Sequence, residues 1–265
     1  MIGVYRAGLA ASMQEISVLS NNIANASTIG FKRSETNFND LYAVEKSRRS
    51  DLQLGSGVQT LQPRRLHLQG SFLQTDAALD LAINGEGMFA LRNPSDPKNL
   101  QFTRNGSINL AEDGRLVTMD GFEYLDTKSE PIKIPFEVTV PDGQTTETRR
   151  LSAINVASDG NIRVEYGSGV LVDVANIGLA TFVNEAELRS LGSTYYAETP
   201  KSGPAVIAPG QDNATGTGSI QSGALENSNT DSTAALSRLL KAQQAFSGSA
   251  RLMQADADMV RRLIG

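Results

Sequence analysis

The one histidine of this 265-residue chain, His67, is the first residue to test for chemistry. It sits in Leu66-His67-Leu68-Gln69, where apolar and polar residues alternate as in a strand, so it reads as an ordinary strand histidine rather than a base. Cysteine is absent, which removes thiolate nucleophiles and disulfides, and one histidine leaves nothing from which to build a zinc cluster. Gly55-Ser56-Gly57 and Gly167-Ser168-Gly169 do not match the Gly-x-Ser-x-Gly elbow of a serine nucleophile. Gly85-Glu86-Gly87 has no helix-opening glycine at the spacing a dinucleotide loop requires. Carboxylates are plentiful, but Glu112 and Asp113 fall in a turn, and Asp256 and Asp258 are two apart on a helix and cannot share a face. Carboxylates converging from distant segments stay open on sequence alone. No motif calls for them, and the expectation is a protein without catalytic residues, metal or cofactor.

Composition narrows the class. The net charge is −5, with no basic excess, so a nucleic-acid partner has no electrostatic support. No apolar run approaches the roughly 18 to 20 residues of a membrane span. Gly3, Arg6, Ser12, Gln14 and Glu15 interrupt the N-terminal region, which therefore does not read as a cleaved secretory signal.

The elements at the two ends carry the strongest pattern. Ile2, Leu9, Ile16 and Ile23 recur at intervals of seven, and Tyr5, Ser12, Leu19 and Ala26 hold the positions three residues on. That spacing lays a seam along one side of a helix, as a coiled coil needs. Arg6 and Glu15 are the only charges between Met1 and Gly30, whereas a solvated helix keeps charges opposite its apolar stripe. Asn25, Ser27, Thr28 and Gly30 should then stop the helix, and Phe31 anchor the chain beyond it. Near the C-terminus Leu239, Phe246, Met253 and Val260 repeat at intervals of seven, flanked by Leu236, Ala250, Ala257 and Ile264. Ser228 or Asn229 is the expected N-cap, with Asp231 in the first turn and Arg261 and Arg262 at the negative end of the dipole.

Between the helices the period changes. Residues 34–49 mix Phe38, Leu41, Tyr42 and Val44 with charges and read equally as a short helix or as extended chain. Lys46-Ser47-Arg48-Arg49 reads as a solvated linker, and Pro63 marks extended structure near an edge. From residue 71 to about residue 199, short β-rich runs are punctuated by Asn84-Gly85, Asn105-Gly106, Asp113-Gly114, Asp120-Gly121, Asp142-Gly143 and Asp159-Gly160. Each can supply the positive-φ pair of a tight hairpin, which points to an antiparallel all-β domain. Gly, Pro, Ser and Thr then dominate residues 203–223, a return linker. The layout is α+β. An N-terminal helix (1–33) and a C-terminal helix (228–265) form an α-helical coiled-coil domain, with an extended linker (34–70), an inserted antiparallel all-β domain (71–202) and a return linker (203–227).

Four strings give this layout a likeness. Ser20-Asn21-Asn22-Ile23-Ala24-Asn25 followed by Thr28-Ile29-Gly30-Phe31-Lys32 closely resembles the N-terminal signature of the bacterial flagellar axial proteins, the rod and hook family. Asp80-Leu81-Ala82-Ile83-Asn84-Gly85-Glu86-Gly87-Met88-Phe89 resembles that family's Asp-x-Ala-Ile-x-Gly-x-Gly-Phe-Phe, with Met88 in place of the first aromatic. Phe102-Thr103-Arg104-Asn105-Gly106-Ser107, continued by Asp113-Gly114-Arg115-Leu116-Val117-Thr118, resembles its Tyr-Thr-Arg-x-Gly-Ser and Gly-x-Leu-Val-Thr pair, and Gly223-Ala224-Leu225-Glu226-Asn227-Ser228-Asn229 its C-terminal Gly-x-Leu-Glu-x-Ser-Asn. The resemblance implies a structural subunit that is exported by the flagellar type III apparatus without a cleaved signal and stacks into a helical tube. Partners would be copies of itself, other rod and hook subunits and surrounding ring proteins, in the periplasmic rod of the basal body. Length and layout favour a distal rod position, then a proximal rod or a short hook-type subunit. A secreted module that merely dimerises through its helices is the alternative from another class.

Physics gives the resemblance its mechanism. Two helices alone bury too little apolar surface to offset their ordering entropy, so in a free monomer they should be partly disordered. A head-to-tail contact that does not close would extend them into a filament. The expected assembly residues are Ile2, Leu9, Ile16, Leu19 and Ile23 at the front, and Leu236, Leu239, Phe246, Met253, Val260 and Ile264 at the back.

Overall fold

The computed structural model describes residues 2–43, 54–142, 145–167 and 169–264. The chain divides into two compact units. One comprises Met1–Ala26, Lys32–Leu66 and Thr230–Gly265; the other comprises Ser27–Phe31 and His67–Asn229.

The first unit is built on α1 (Ile2–Ala24) and α2 (Ser232–Ile264). They run antiparallel: Gly8 faces Ser249, and Leu19 and Asn22 lie beside Ala234 and Ala235. A Cβ on Gly8 would sit 3.6 Å from the Ser249 Oγ, an ordinary contact distance. Strand Phe38–Ala43 pairs antiparallel with Leu54–Thr60, so the segment that the sequence leaves open between helix and strand is extended. This ribbon packs on α1 near Ala7 and Val4, which Gly57 approaches. A two-stranded ribbon is marginal alone, and here the helix supplies its apolar backing. The basic run Lys46-Ser47-Arg48-Arg49 lies outside the described residues.

The start of α2 differs from the sequence expectation. Asp231 is the cap: its Oδ1 accepts hydrogen bonds from the Thr233 and Ala234 amides at 2.9 and 3.1 Å, satisfying two donors that helix geometry leaves free. Ser228 and Asn229 belong to the other unit, where Asn229 Nδ2 donates to the Leu68 carbonyl at 3.0 Å.

The second unit is β-rich and mostly antiparallel. Strand Met88–Asn93 is its centre, paired with Asp96–Thr103, Glu123–Tyr124 and Leu179–Thr181. Both faces of that strand are covered: Phe89 and Leu91 enter one apolar cluster, and Met88 and Ala90 enter another. Leu81, Ala82 and Ile83 are likewise all buried, where simple alternation would have exposed the alanine. The sheet Glu137–Asp142, Thr145–Val156, Asn161–Tyr166 and Val170–Asn176 keeps the two-residue period, with Ile162, Val164 and Tyr166 inward and Arg163 outward.

The turn dipeptides divide into two kinds. Asp113-Gly114, Asp120-Gly121 and Asp159-Gly160 join strands that pair with each other, and only the glycine takes positive φ (+81°, +83° and +89°), so these are not the double positive-φ turns expected. Asn84-Gly85 also turns the chain, with φ +113° at the glycine, but its flanking strands pair elsewhere. Gly106 is a glycine for a different reason: a Cβ there would lie 1.7 Å from the Leu81 carbonyl oxygen. Gly143 lies outside the described residues.

Candidate assembly surface and the motif clasp

The helix pair buries little. Its buried hydrophobic side chains are Ala11 and Leu19 on α1 and Ala235 and Ala242 on α2, among the described residues. Leu9, Ile16 and Ile23 are half-buried, as are Leu239, Phe246 and Met253. Leu236 and Val260 are exposed; the side chains of Ile2 and Ile264 fall outside the described residues. Of the expected assembly residues Leu19 alone is buried among the described side chains, and Leu236 and Val260 face out. Sequence reasoning missed Ala235 and Ala242, which share a seven-residue repeat with Ser249; the tightest line between the helices follows small side chains. It also missed Leu240, Leu252 and Met259, all exposed. Ala245, Gly248, Leu252, Ala255 and Met259 follow a three-and-four spacing that forms a second uncharged stripe on α2, and a Cβ at Gly248 would meet nothing within 4 Å.

At the other end of α2 is a cleft of about 250 Å³. Glu15, Val18 and Leu19 line it from α1, Thr36 from the chain that follows, and Asp231 and Arg238 from the start of α2. Arg238 reaches Glu35 at 3.5 Å. The Thr36 hydroxyl is buried without a hydrogen-bond partner, and Glu15 has no ion pair among the described residues.

The motif residues lie in two places. In the first unit Asn22 is buried, its Nδ2 donating to the Ser34 carbonyl at 2.7 Å while its Oδ1 accepts from the Ser34 amide at 2.9 Å. Asn25 closes the helix end, donating through both its amide and its side chain to the Asn21 carbonyl. Ala24 is the last helical residue, Ile23 is half-buried, and Lys32 is fully buried. In the second unit the Phe31 amide donates to the Thr28 carbonyl and its ring is buried. Gly30 stands at φ +68°, a conformation glycine adopts without strain, and a Cβ there would lie 2.6 Å from the Asn105 nitrogen. Its amide donates to the Glu226 carbonyl at 2.8 Å.

Glu226 joins the other strings. Its carboxylate, 0% exposed, accepts from the Gly70 amide at 2.8 Å and from Arg104 Nη1 at 3.3 Å. Arg104, 2% exposed, also donates through Nη2 to the Gly85 carbonyl at 2.9 Å. Gly30, Gly85, Arg104 and Glu226 come one from each of the four recognised strings. A carboxylate and a guanidinium can be buried at tolerable cost only when paired and hydrogen-bonded, as Arg104 and Glu226 are across 122 residues of sequence.

Elsewhere in the β-rich unit, Arg115 beside Asp113 holds that carboxyl below its usual range. Burial pushes the Tyr195 phenol up to about 12; it donates to Asp120 Oδ2 at 2.7 Å. His67 packs edge-on against Tyr196, ring centroids 5.2 Å apart. No three His, Asp or Glu side chains gather to hold a metal, and no helix is long and apolar enough to cross a membrane, among the described residues.

Known families match the same segments. The model described as "Flagella basal body rod protein" matches residues 4–32, "Flagellar hook protein FlgE/F/G D1 domain" matches 82–164, and "Flagellar basal body rod FlgEFG protein C-terminal" matches 221–265. The flagellar basal-body rod protein FlgG of Buchnera aphidicola (strain APS) is 36% identical over 98% of this chain and 96% of its own. The FlgG of Bacillus subtilis is 29% identical over 97% and 95%. The flagellar hook protein FlgE of Helicobacter mustelae is 28% identical over 78% of this chain but only 48% of its own. The chain belongs to the flagellar basal-body rod protein family and is a structural axial subunit of the flagellum.

Proposed function

We propose that this protein is a distal rod subunit that polymerises through its two terminal helices into a helical tube and transmits torque along it. The observation that carries the reading is the exposed apolar surface of α2, above all Leu252 at 56% and Met259 at 57%, on a helix whose own partner covers only one side. Monomeric proteins rarely leave such stripes open, and neighbouring copies would bury them. Coiled-coil packing of the helices, including Ile2, Leu9, Ile16 and Ile264, belongs to that assembled state. Rod relatives align along nearly their whole length, whereas the hook protein aligns along about half, which favours rod over hook. Domain limits at 1–33, 34–70, 71–202, 203–227 and 228–265 complete the reading, with the helices lining the tube and the β domain outside. Other rod and hook subunits, the export apparatus and the surrounding ring are the remaining partners, met in the periplasmic basal body without cleavage of a signal. Torque would pass through burial summed over many copies, since one surface ion pair contributes at most about 1 kcal/mol. Cryo-EM of basal bodies carrying a tagged copy is the test. Density for the tag in the distal rod is expected; density in the hook, or no axial density, would defeat the proposal.

A further inference from the structure

We infer that residues 219–229 are a strap that closes the β-rich unit last and, in closing, seats the segment Ser27–Phe31, so that the body is finished only when the first and last recognised strings have met. All the contacts involved lie inside this unit, and the strap therefore stands apart from the self-assembly reading.

Two kinds of pairing build the unit. Glu137–Asp142, Thr145–Val156, Asn161–Tyr166 and Val170–Asn176 each pair with the strand next in sequence, as do Met88–Asn93 and Asp96–Thr103. Such hairpins need only a short loop to close. Phe72–Gln74 and Leu81–Asn84 are different: among the described residues the first pairs only with strand Ala224–Glu226, and the second only with Ser219–Ser222. Other strap bonds go to the same stretch. The Thr75 and Asp76 amides donate to the Gly223 carbonyl, the Gly223 amide to that of Asp80, and the Asn227 amide to that of Ser71. The Glu226 carboxylate accepts from the Gly70 amide across 156 residues. At the other end of the chain, the Gly30 amide donates to the Glu226 carbonyl and the Asn229 amide to that of Phe31.

Segments about 150 residues apart meet on the order of a hundredfold less often than the two arms of a tight hairpin, which puts strap pairing after hairpin pairing. Until the strap arrives, Leu81, Ala82 and Ile83, fully buried in the finished unit, sit on a strand with an open edge, and the Gly30 amide lacks its acceptor. Two glycines fit the strap to its seat. A Cβ on Gly70 would overlap the Asn227 carbonyl oxygen, and one on Gly218 the Asn84 carbonyl oxygen, although neither glycine has positive φ. They are small so that backbones can lie against each other, not so that the chain can turn.

Refolding of the full chain from urea, followed by pulsed hydrogen exchange and mass spectrometry, reads the order directly. Amides of Thr145–Val156, Asn161–Tyr166 and Val170–Asn176 should be protected first. Those of Phe72–Gln74, Leu81–Asn84, Ser219–Ser222 and Ala224–Glu226 should follow together, about tenfold more slowly. Gly218→Ala should slow that second phase a further tenfold or so and leave the first within about twofold. The chain has no cysteine, so Leu73→Cys with Leu225→Cys, at directly opposed positions, can tie the strap to its partner. Oxidised, this pair removes the long loop, and the second phase should merge with the first; reduction should restore it. The pair also decides the matter if Gly218→Ala does not fold. Strap amides protected with or before the hairpin amides would overturn the inference. So would a late phase that a prolyl isomerase accelerates, or one that the oxidised pair leaves unchanged.

Discussion

The clasp and the helix pair are opposite solutions to holding distant parts of one chain together. At the clasp both charges are out of water and paired: Glu226 and Arg104 face each other, with backbone groups of Gly70 and Gly85 adding one bond to each, while the Arg104 Nε stays buried without a partner. Along the helices the buried hydrophobic side chains are Ala11, Leu19, Ala235 and Ala242, and the large side chains Leu236, Leu240, Leu252, Met259 and Val260 stay in water. The first arrangement is finished within one copy. The second leaves large apolar side chains uncovered within one copy. On the proposed reading the body would stay as it is and the helices would be completed by neighbouring copies.

The sharpest way to break this contrast is Glu226→Ala. It leaves the Arg104 guanidinium buried and unpaired, and loss of one partner of a buried pair costs about 3 to 5 kcal/mol. Urea unfolding followed by tyrosine fluorescence should show that loss in the β-rich unit. A change below about 1 kcal/mol would mean the pair is not structurally committed. Gly30→Ala comes next, at about 2 kcal/mol or more, since alanine is strained at φ +68° and its Cβ would lie against the Asn105 backbone. Thermal melts of the purified variant would read it.

Much of this was legible in the sequence, for physical reasons that differ by region. Helix type and end followed from heptad spacing and from Asn25 and Gly30, because periodicity and backbone permissiveness are local properties. The glycine turns at Gly114, Gly121 and Gly160 were legible for the same reason. The clasp was not: Glu226 and Arg104 are 122 residues apart, and nothing in either neighbourhood states that the other charge will be opposite. The four strings showed a family likeness without the physical reason for it. The N-cap was misplaced because Ser228, Asn229 and Asp231 are all good capping residues, and the β-rich unit claims the first two. The inner line of α2 was misjudged because a search for large apolar residues passes over Ala235 and Ala242.

The remaining effects are smaller and sit on both sides of the contrast. Asp231→Ala should cost α2 about 1 kcal/mol by freeing two first-turn amides, visible as reduced helicity by circular dichroism while the β-rich unit melts unchanged. Tyr195 gives a pH signature of the finished unit. Its folded pKa is raised to about 12 by burial, above the unfolded value of about 10, so its contribution is fully present below about pH 10 and is lost as pH rises through about 12. Tyr195→Phe should flatten the alkaline decline in stability between those values, measured against the parent chain at each pH.

Leu252→Ser together with Met259→Ser should have the smallest effect on the monomer and decides what the exposed stripe is for. Both side chains are more than half exposed, so removing them takes little apolar surface out of contact within one copy, and surface changes of this kind stay within about 0.5 kcal/mol. If the stripe is a surface waiting for neighbours, the same variant should remain monomeric at concentrations where the parent polymerises, because each added contact would lose its apolar anchors. The two measurements pull apart only if stability and assembly reside in different parts of the molecule. A variant that unfolds readily as a monomer would place these residues inside the pair after all. One that polymerises as the parent does would show that the uncovered face of α2 stays uncovered in the rod, and the contrast between a finished body and unfinished helices would have to be drawn elsewhere.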